Sequence, residues 1–135
     1  MSKDKREGWL LSVKVGEEVI VERKCAGIGF SIRNHIGKVK KVTPTGRLEV
    51  EVREYGLKKF NQRGLELGPY GDKVLLKVTP DRLTFMKVER ARQRAMANAY
   101  HVYAQTREFR TDGFDWVEFD RIMTRARQLV DSHER

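Results

Sequence analysis

Hydrophobic and polar residues change their spacing once along this chain, at Thr79-Pro80. Before that point apolar positions alternate or come in short runs, and nine of the 11 glycines lie between Gly16 and Gly71. Glu18-Val19-Ile20-Val21-Glu22 and Gly37-Lys38-Val39-Lys40-Lys41-Val42 read as strands. Thr43-Pro44-Thr45-Gly46 carries Pro and Gly two apart, a turn signal. In Leu48-Glu49-Val50-Glu51-Val52-Arg53 the alternation is strict, so Leu48, Val50 and Val52 share one face of a half-buried antiparallel strand. Leu57 to Phe60 is a fourth strand, Asn61-Gln62-Arg63-Gly64 a turn, and Lys73 to Val78 a fifth strand. Five short strands are too few for a sandwich, whereas closing them into a small barrel removes their exposed edges. The expectation is an antiparallel barrel over 14–79, preceded by a segment 1–13.

Beyond Thr79 the period becomes helical. Thr79 suits a cap, Pro80 the first helical position and Asp81 the positive end of the dipole. A long helix is predicted to about Arg107. Phe85, Val88, Ala95, Ala99 and Val102, widened by Met96, Tyr100 and Tyr103, form its apolar stripe. Lys87, Arg90, Arg94, Asn98, His101 and Gln105 form the opposite face. Thr111-Asp112-Gly113 ends that run. Asp115 and Glu118 then stand at capping-box positions, with Phe114 and Phe119 placed for a hydrophobic staple. Trp116, Phe119, Ile122, Met123, Ala126, Leu129 and Val130 supply the expected buried face. The α+β chain thus ends in a C-terminal helical hairpin, 80–135.

Charge sharpens this picture. Lys and Arg number 28 against 19 Asp and Glu, a net +9. The surplus is regional: +6 over 14–79, +4 over 80–110, and −2 over 111–135. A basic body points to a polyanion, nucleic acid before an anionic membrane surface. The densest cluster is Arg33, Lys38, Lys40, Lys41 and Arg47, joined by Arg23 and Lys24. Lys87, Arg90 and Arg94 share one helix face and form a second patch. Phe30, inside Gly27-Ile28-Gly29-Phe30-Ser31-Ile32, is either a core residue or a plate for base stacking. Tyr70 is a second stacking candidate. On the last helix Trp116, Phe119, Met123 and Val130 are candidates for a protein interaction or for a homodimer through the C-terminal helices.

The run Val19-x-Val21, Gly27-x-Gly29, Gly37-Lys38-Val39-x-x-Val42, Gly46 and Leu48-x-Val50-x-Val52 resembles the KOW-type motif. That resemblance covers about 35 of 135 residues. It implies a small SH3-like barrel whose strand–turn–strand unit centres on a Gly, with structural roles for Gly37, Lys38 and Gly46. KOW-type domains contact RNA, DNA or polymerase. Lys59-Phe60-x-x-x-Gly64-x-Glu66-x-Gly68, followed by a strand and a helix, also resembles small bacteriophage proteins with such a barrel. Host takeover or counter-defence in a host cytoplasm is what that likeness implies.

Catalytic constellations are absent from the sequence. His35, His101 and His133 share no metal-ligand spacing, and a lone Cys25 forms neither a disulfide framework nor a Cys-cluster zinc site. Gly27-x-Gly29 lacks the third glycine and the strand-to-helix context of a dinucleotide site, and no Walker-type Gly-Lys-Ser/Thr occurs. Asp112-Gly113 with Asp115 is too thin for a calcium loop. No cofactor or metal is expected. No apolar run reaches the ~18 residues a membrane helix needs, and the N-terminus is too weakly apolar for a signal peptide, so a cytoplasmic location is expected. The reading is a non-enzyme that binds RNA or DNA, as a monomer or homodimer. Its rival is an inhibitor or adaptor docking on a host protein complex through the hairpin and the basic surface.

Overall fold

The computed structural model describes residues 3–24 and 32–133 of an α+β chain. A short 3-10 helix, Gly8–Ser12, precedes strands β1 (Glu18–Arg23), β2 (Asn34–Val42), β3 (Leu48–Val52), β4 (Gly56–Phe60) and β5 (Lys73–Leu76). Helices α1 (Pro80–Thr106) and α2 (Trp116–Asp131) follow. The chain divides into two compact units, Met1–Met96 and Ala97–Arg135, with the boundary inside α1.

In the first unit the five strands form one antiparallel sheet in the order β4-β3-β2-β1-β5. Bridges Phe60↔Glu66 and Leu65↔Val74 carry the chain from the end of β4 across to β5. Both edges are thereby occupied over part of their length and the sheet curls on itself. Alternation decides what goes inside. Val19 and Val21, Val39, Leu48, Val50 and Val52, Phe60 and Leu75 make the inner face, closed by Leu10 and Val13 of the N-terminal segment. Full burial of each such side chain contributes about 1.5–3 kcal/mol.

Gly37 pairs with both Val19 and Val52 at the centre of that face. A Cβ there would stand 2.5 Å from Val50 Cγ1 and about as close to Val21 and Val52 as packing forbids, at 3.1 and 3.2 Å. Only glycine lets the three strands approach this closely. Gly46, at φ +99°, occupies the β2–β3 turn, and a Cβ on it would collide with Asp4 and Arg6. Those two residues belong to a strap that runs beside the turn. Lys5 N–H donates to Thr45 O (3.0 Å), Glu7 N–H to Gln62 O (3.1 Å), and Arg6 holds both the Asp4 carboxylate (2.7 Å) and Val13 O (2.6 Å). The Arg6 hydrogen bonds hold the Asp4 carboxyl below its usual range.

α1 starts as its local signals require, with Thr79 Oγ1 accepting from Arg82 N–H. Its packed side differs from the expected one. Phe85 and Val88 are 58% and 61% exposed, while Met86 is buried and Glu89, Arg90 and Gln93 are half-buried. The cause is polar. Glu89 Oε1 accepts the N–H groups of Arg33 and Asn34 (3.2 and 3.1 Å), and its Oε2 accepts from Asn34 Nδ2 (3.4 Å). Three hydrogen bonds to the start of β2 fix the helix rotation, against the preference of the apolar stripe.

The second unit opens α2 at the predicted place. Asp115 caps the Glu118 N–H (3.0 Å), and the Phe114 and Phe119 rings meet at 5.6 Å. The Glu118 carboxylate does not close the capping box but pairs with Arg121, which lowers its pKa and raises that of Arg121. Phe109, Phe114, Trp116 and Phe119 form an edge-to-face cluster, and Trp116 Nε1–H donates to Arg110 O at 2.9 Å. No residue of α2 is buried.

Candidate nucleic-acid interface

The antiparallel register sorts the basic residues into three places. At one end of the sheet β1 finishes (Arg23, Lys24), β2 starts (preceded by Arg33), β3 finishes (followed by Arg53) and β5 starts after a turn carrying Tyr70. Arg47 lies at the opposite end, in the β2–β3 turn. β2 separates the two by nine residues, or roughly 27 Å. Lys38, Lys40 and Lys41 lie between, on the outer face of β2.

Those three lysines are not a bare cationic patch. Register sets Lys38 between Glu18 of β1 and Glu51 of β3. Lys40 pairs with Glu51 at 3.4 Å and Lys41 with Glu49 at 3.9 Å, both around a register shift between Val39 and Lys41. Lys59 of β4 faces Glu49 in turn. Cations and carboxylates therefore alternate across the strands. Such exposed pairs hold each other weakly, about 0–1 kcal/mol, but they cancel most of the local field.

The end bearing Arg33 is different. Arg33 Nε and Nη2 donate to Arg23 O (3.3 Å) and Lys24 O (2.7 Å), so backbone carbonyls position its guanidinium without neutralising it. Glu89, the carboxylate nearest in the hydrogen-bond network, is occupied by the β2 N–H groups. Between this end and α1 lies an open cavity of about 550 Å³. Arg53 and Arg90 line it from opposite elements, with His35 and Gln93 beside them; Ile32 and Ile36 supply an apolar wall. Among the described residues Glu54 is the one carboxylate in the lining.

His35 has a specific deficiency. It is 6% exposed, its ring stands edge-on to Tyr55 at 5.0 Å, and its Nδ1 lies 3.3 Å from Glu54 Oε2. That separation suits an ion pair, yet the angles make no hydrogen bond, and Nδ1 has no hydrogen-bond partner among the described residues. A buried polar nitrogen without a hydrogen bond costs about 1–3 kcal/mol, which the Glu54 carboxylate beside it offsets in part. Tyr55 itself lies under Lys73 Nζ, 4.6 Å from the ring centroid. Lys73 keeps its charge: burial works against it, but the hydrogen bond to Asp72 and the Glu66 carboxylate outweigh that and raise its pKa.

Of the residues singled out from sequence, the structure gathers Arg23, Lys24, Arg33 and Tyr70 at one sheet end, with Arg90 at the adjoining cavity. Tyr70 is 95% exposed. Lys38, Lys40 and Lys41 sit in the charge ladder, Arg47 at the far end, and Lys87 and Arg94 on exposed turns of α1. Phe30 lies outside the described residues, as does Cys25. Arg53, Glu89 and the buried His35 beside Glu54 were not legible as site features. Arg53 follows a strand and reads as one more surface charge until the turn is folded against α1. In the second unit Trp116 and Phe119 are half-buried in the aromatic cluster, while Met123 and Val130 are exposed.

Among the described residues no three His, Cys, Asp or Glu side chains are grouped to hold a metal ion, and no helix is long and apolar enough to cross a membrane. Charge divides sharply between the units. Residues 1–96 hold 22 Lys and Arg against 12 Asp and Glu, whereas residues 97–135 hold 6 against 7. Comparison with family models, with curated proteins and with solved structures returns no match.

Proposed function

We propose that this protein is a non-enzymatic nucleic-acid-binding protein that grips the phosphate backbone at the arginine-lined end of its sheet. The observation that carries this reading is the convergence of Arg53 and Arg90, from different elements, on one cavity beside Arg33. The guanidinium fork suits phosphate oxygens, and two forks facing one space suit a phosphate better than a surface lysine does. The cavity's remaining lining fits a nucleotide rather than a bare anion: Ile32 and Ile36 offer an apolar wall, and Gln93 offers a polar edge. Tyr70 supplies an exposed ring at the same sheet end. In this reading the curled sheet is an SH3-like barrel of KOW type, which the β4-β3-β2-β1-β5 order and the glycine at position 37 support, and the two helices form a hairpin.

Binding is read by fluorescence anisotropy with single- and double-stranded oligonucleotides, titrated with salt. Holding three to five phosphates gives a log–log salt slope of about −2 to −4.5. Arg53→Glu with Arg90→Glu is expected to abolish binding at moderate salt. Lys38→Glu, Lys40→Glu and Lys41→Glu together are expected to weaken it less, since each lysine already faces a carboxylate. No binding at low salt contradicts the proposal. The rival, an inhibitor or adaptor docking on a host protein, draws on the exposed apolar side chains of α2 and gains by that result.

A further inference from the structure

We infer that α2 is a self-association surface whose partner is a second copy of this chain, packed antiparallel across a two-fold axis. The inference rests on α2 alone and is independent of nucleic-acid binding. Trp116, Phe119, Met123, Ala126 and Val130 recur at alternating steps of three and four, the spacing of a coiled-coil seam, with Ile122 and Leu129 widening it on one side. Yet none of these is buried, and Leu129 and Val130 are 73% and 58% exposed. A helix with one apolar face needs a cover for it.

Charge along α2 says what that cover is. Its first half, with Asp115 at the cap, carries Glu118, Asp120 and Arg121, a net −2; its second half carries Arg125, Arg127 and Asp131, a net +1. A parallel copy would set like charges together. An antiparallel copy sets the acidic half against the basic half, and the two helix dipoles oppose favourably. One register pairs Phe119, Met123, Ala126 and Val130 of the seam and leaves Trp116 opposite the second copy's His133. Phe119 then lies opposite the second copy's Val130 and Met123 opposite its Ala126. On one flank Ile122 meets the second copy's Leu129, and on the other Asp120 meets its Arg127. Because the arrangement is isologous, every pair occurs twice. Asp120 makes no ion pair among the described residues, and Arg127 holds only an exposed contact to Asp131 at 3.6 Å, so both are open to exchange partners at little cost. Residues 97–135 carry almost no net charge, so the seam itself brings no large like charge together.

With about 24 Å of helix the seam is short, so a dimer dissociating on the order of 10 µM is expected. Sedimentation equilibrium of the full chain, from about 5 to about 500 µM, should show 15.8 kDa passing to twice that mass. Met123→Glu should hold the chain monomeric, with unchanged helical circular dichroism showing that it folds. Asp120→Arg and Arg127→Asp should each weaken the dimer at least tenfold, and the double exchange, which restores the pair in both places, should recover it. A chain that stays monomeric throughout overturns the inference. So does a dimer indifferent to Met123→Glu, and so does a double exchange no better than either single one.

Discussion

The two units of this protein arrange the same kinds of residue in opposite ways. Residues 1–96 put valines, leucines and Phe60 inside a curled sheet and leave a large cationic surplus outside. Residues 97–135 leave Leu129, Val130, Ile122 and Met123 in contact with water and carry almost no net charge. On the reading proposed above, the first meets a polyanion and the second an apolar surface. What a region displays is set by what its backbone can enclose: a sheet that joins its own edges hides a full face, and a single amphipathic helix cannot.

The largest expected effect tests the enclosed side of that contrast. Phe60→Ala removes a fully buried ring and should cost about 3–5 kcal/mol of stability, whereas Leu129→Ala on α2 should leave the monomer within about 0.5 kcal/mol of wild type. Urea unfolding at low protein concentration distinguishes them, and equal losses would erase the contrast. Gly37→Val is next. Forcing a side chain against Val50, Val21 and Val52 should cost about 1–3 kcal/mol or more, read in the same experiment.

Glu89→Ala should cost about 1–3 kcal/mol by orphaning the Arg33 and Asn34 N–H groups. Amide hydrogen exchange should show those two N–H groups losing protection while the β3 amides keep theirs. The smallest effect concerns Asp4. Its carboxyl pKa lies below 3.8 in the folded chain, so its stabilising contact with Arg6 is present above 3.8 and is lost as pH falls through the lowered value. Asp4→Asn should therefore narrow the gap in Tm between neutral pH and pH below 3.8. A gap unchanged from wild type would show that the strap adds nothing.

Much of this was legible from residue order, and the exceptions share a cause. The strict alternation at Leu48-Glu49-Val50-Glu51-Val52 located β3 and its buried face, Thr43-Pro44-Thr45-Gly46 located the turn, and Asp115 located the start of α2. Each is a local signal, fulfilled within a few residues. The neutralised lysines were not legible, because Lys38, Lys40 and Lys41 look like a patch until the register brings Glu18, Glu49 and Glu51 beside them. The rotation of α1 was not legible either. Its stripe, Phe85 with Val88, promised one packed face, but Glu89 found backbone donors 55 and 56 residues away and turned another face to the sheet. Arg53 joined the site by lining the same cavity as Arg90, 37 positions further along the chain. Charge totals thus pointed to the half of the chain that holds the candidate site, while the side chains that line it were brought together by folding that no local pattern carries.

The most direct test of the account is an isotope-edited NMR titration of the full chain with a short single-stranded oligonucleotide at low salt. The account predicts that the largest shifts fall on Arg33, His35, Arg53, Arg90 and Gln93, that Lys38 and Lys41 move little, and that residues 116–131 do not respond. Shifts centred on Lys38, Lys40 and Lys41, or on α2, would contradict it.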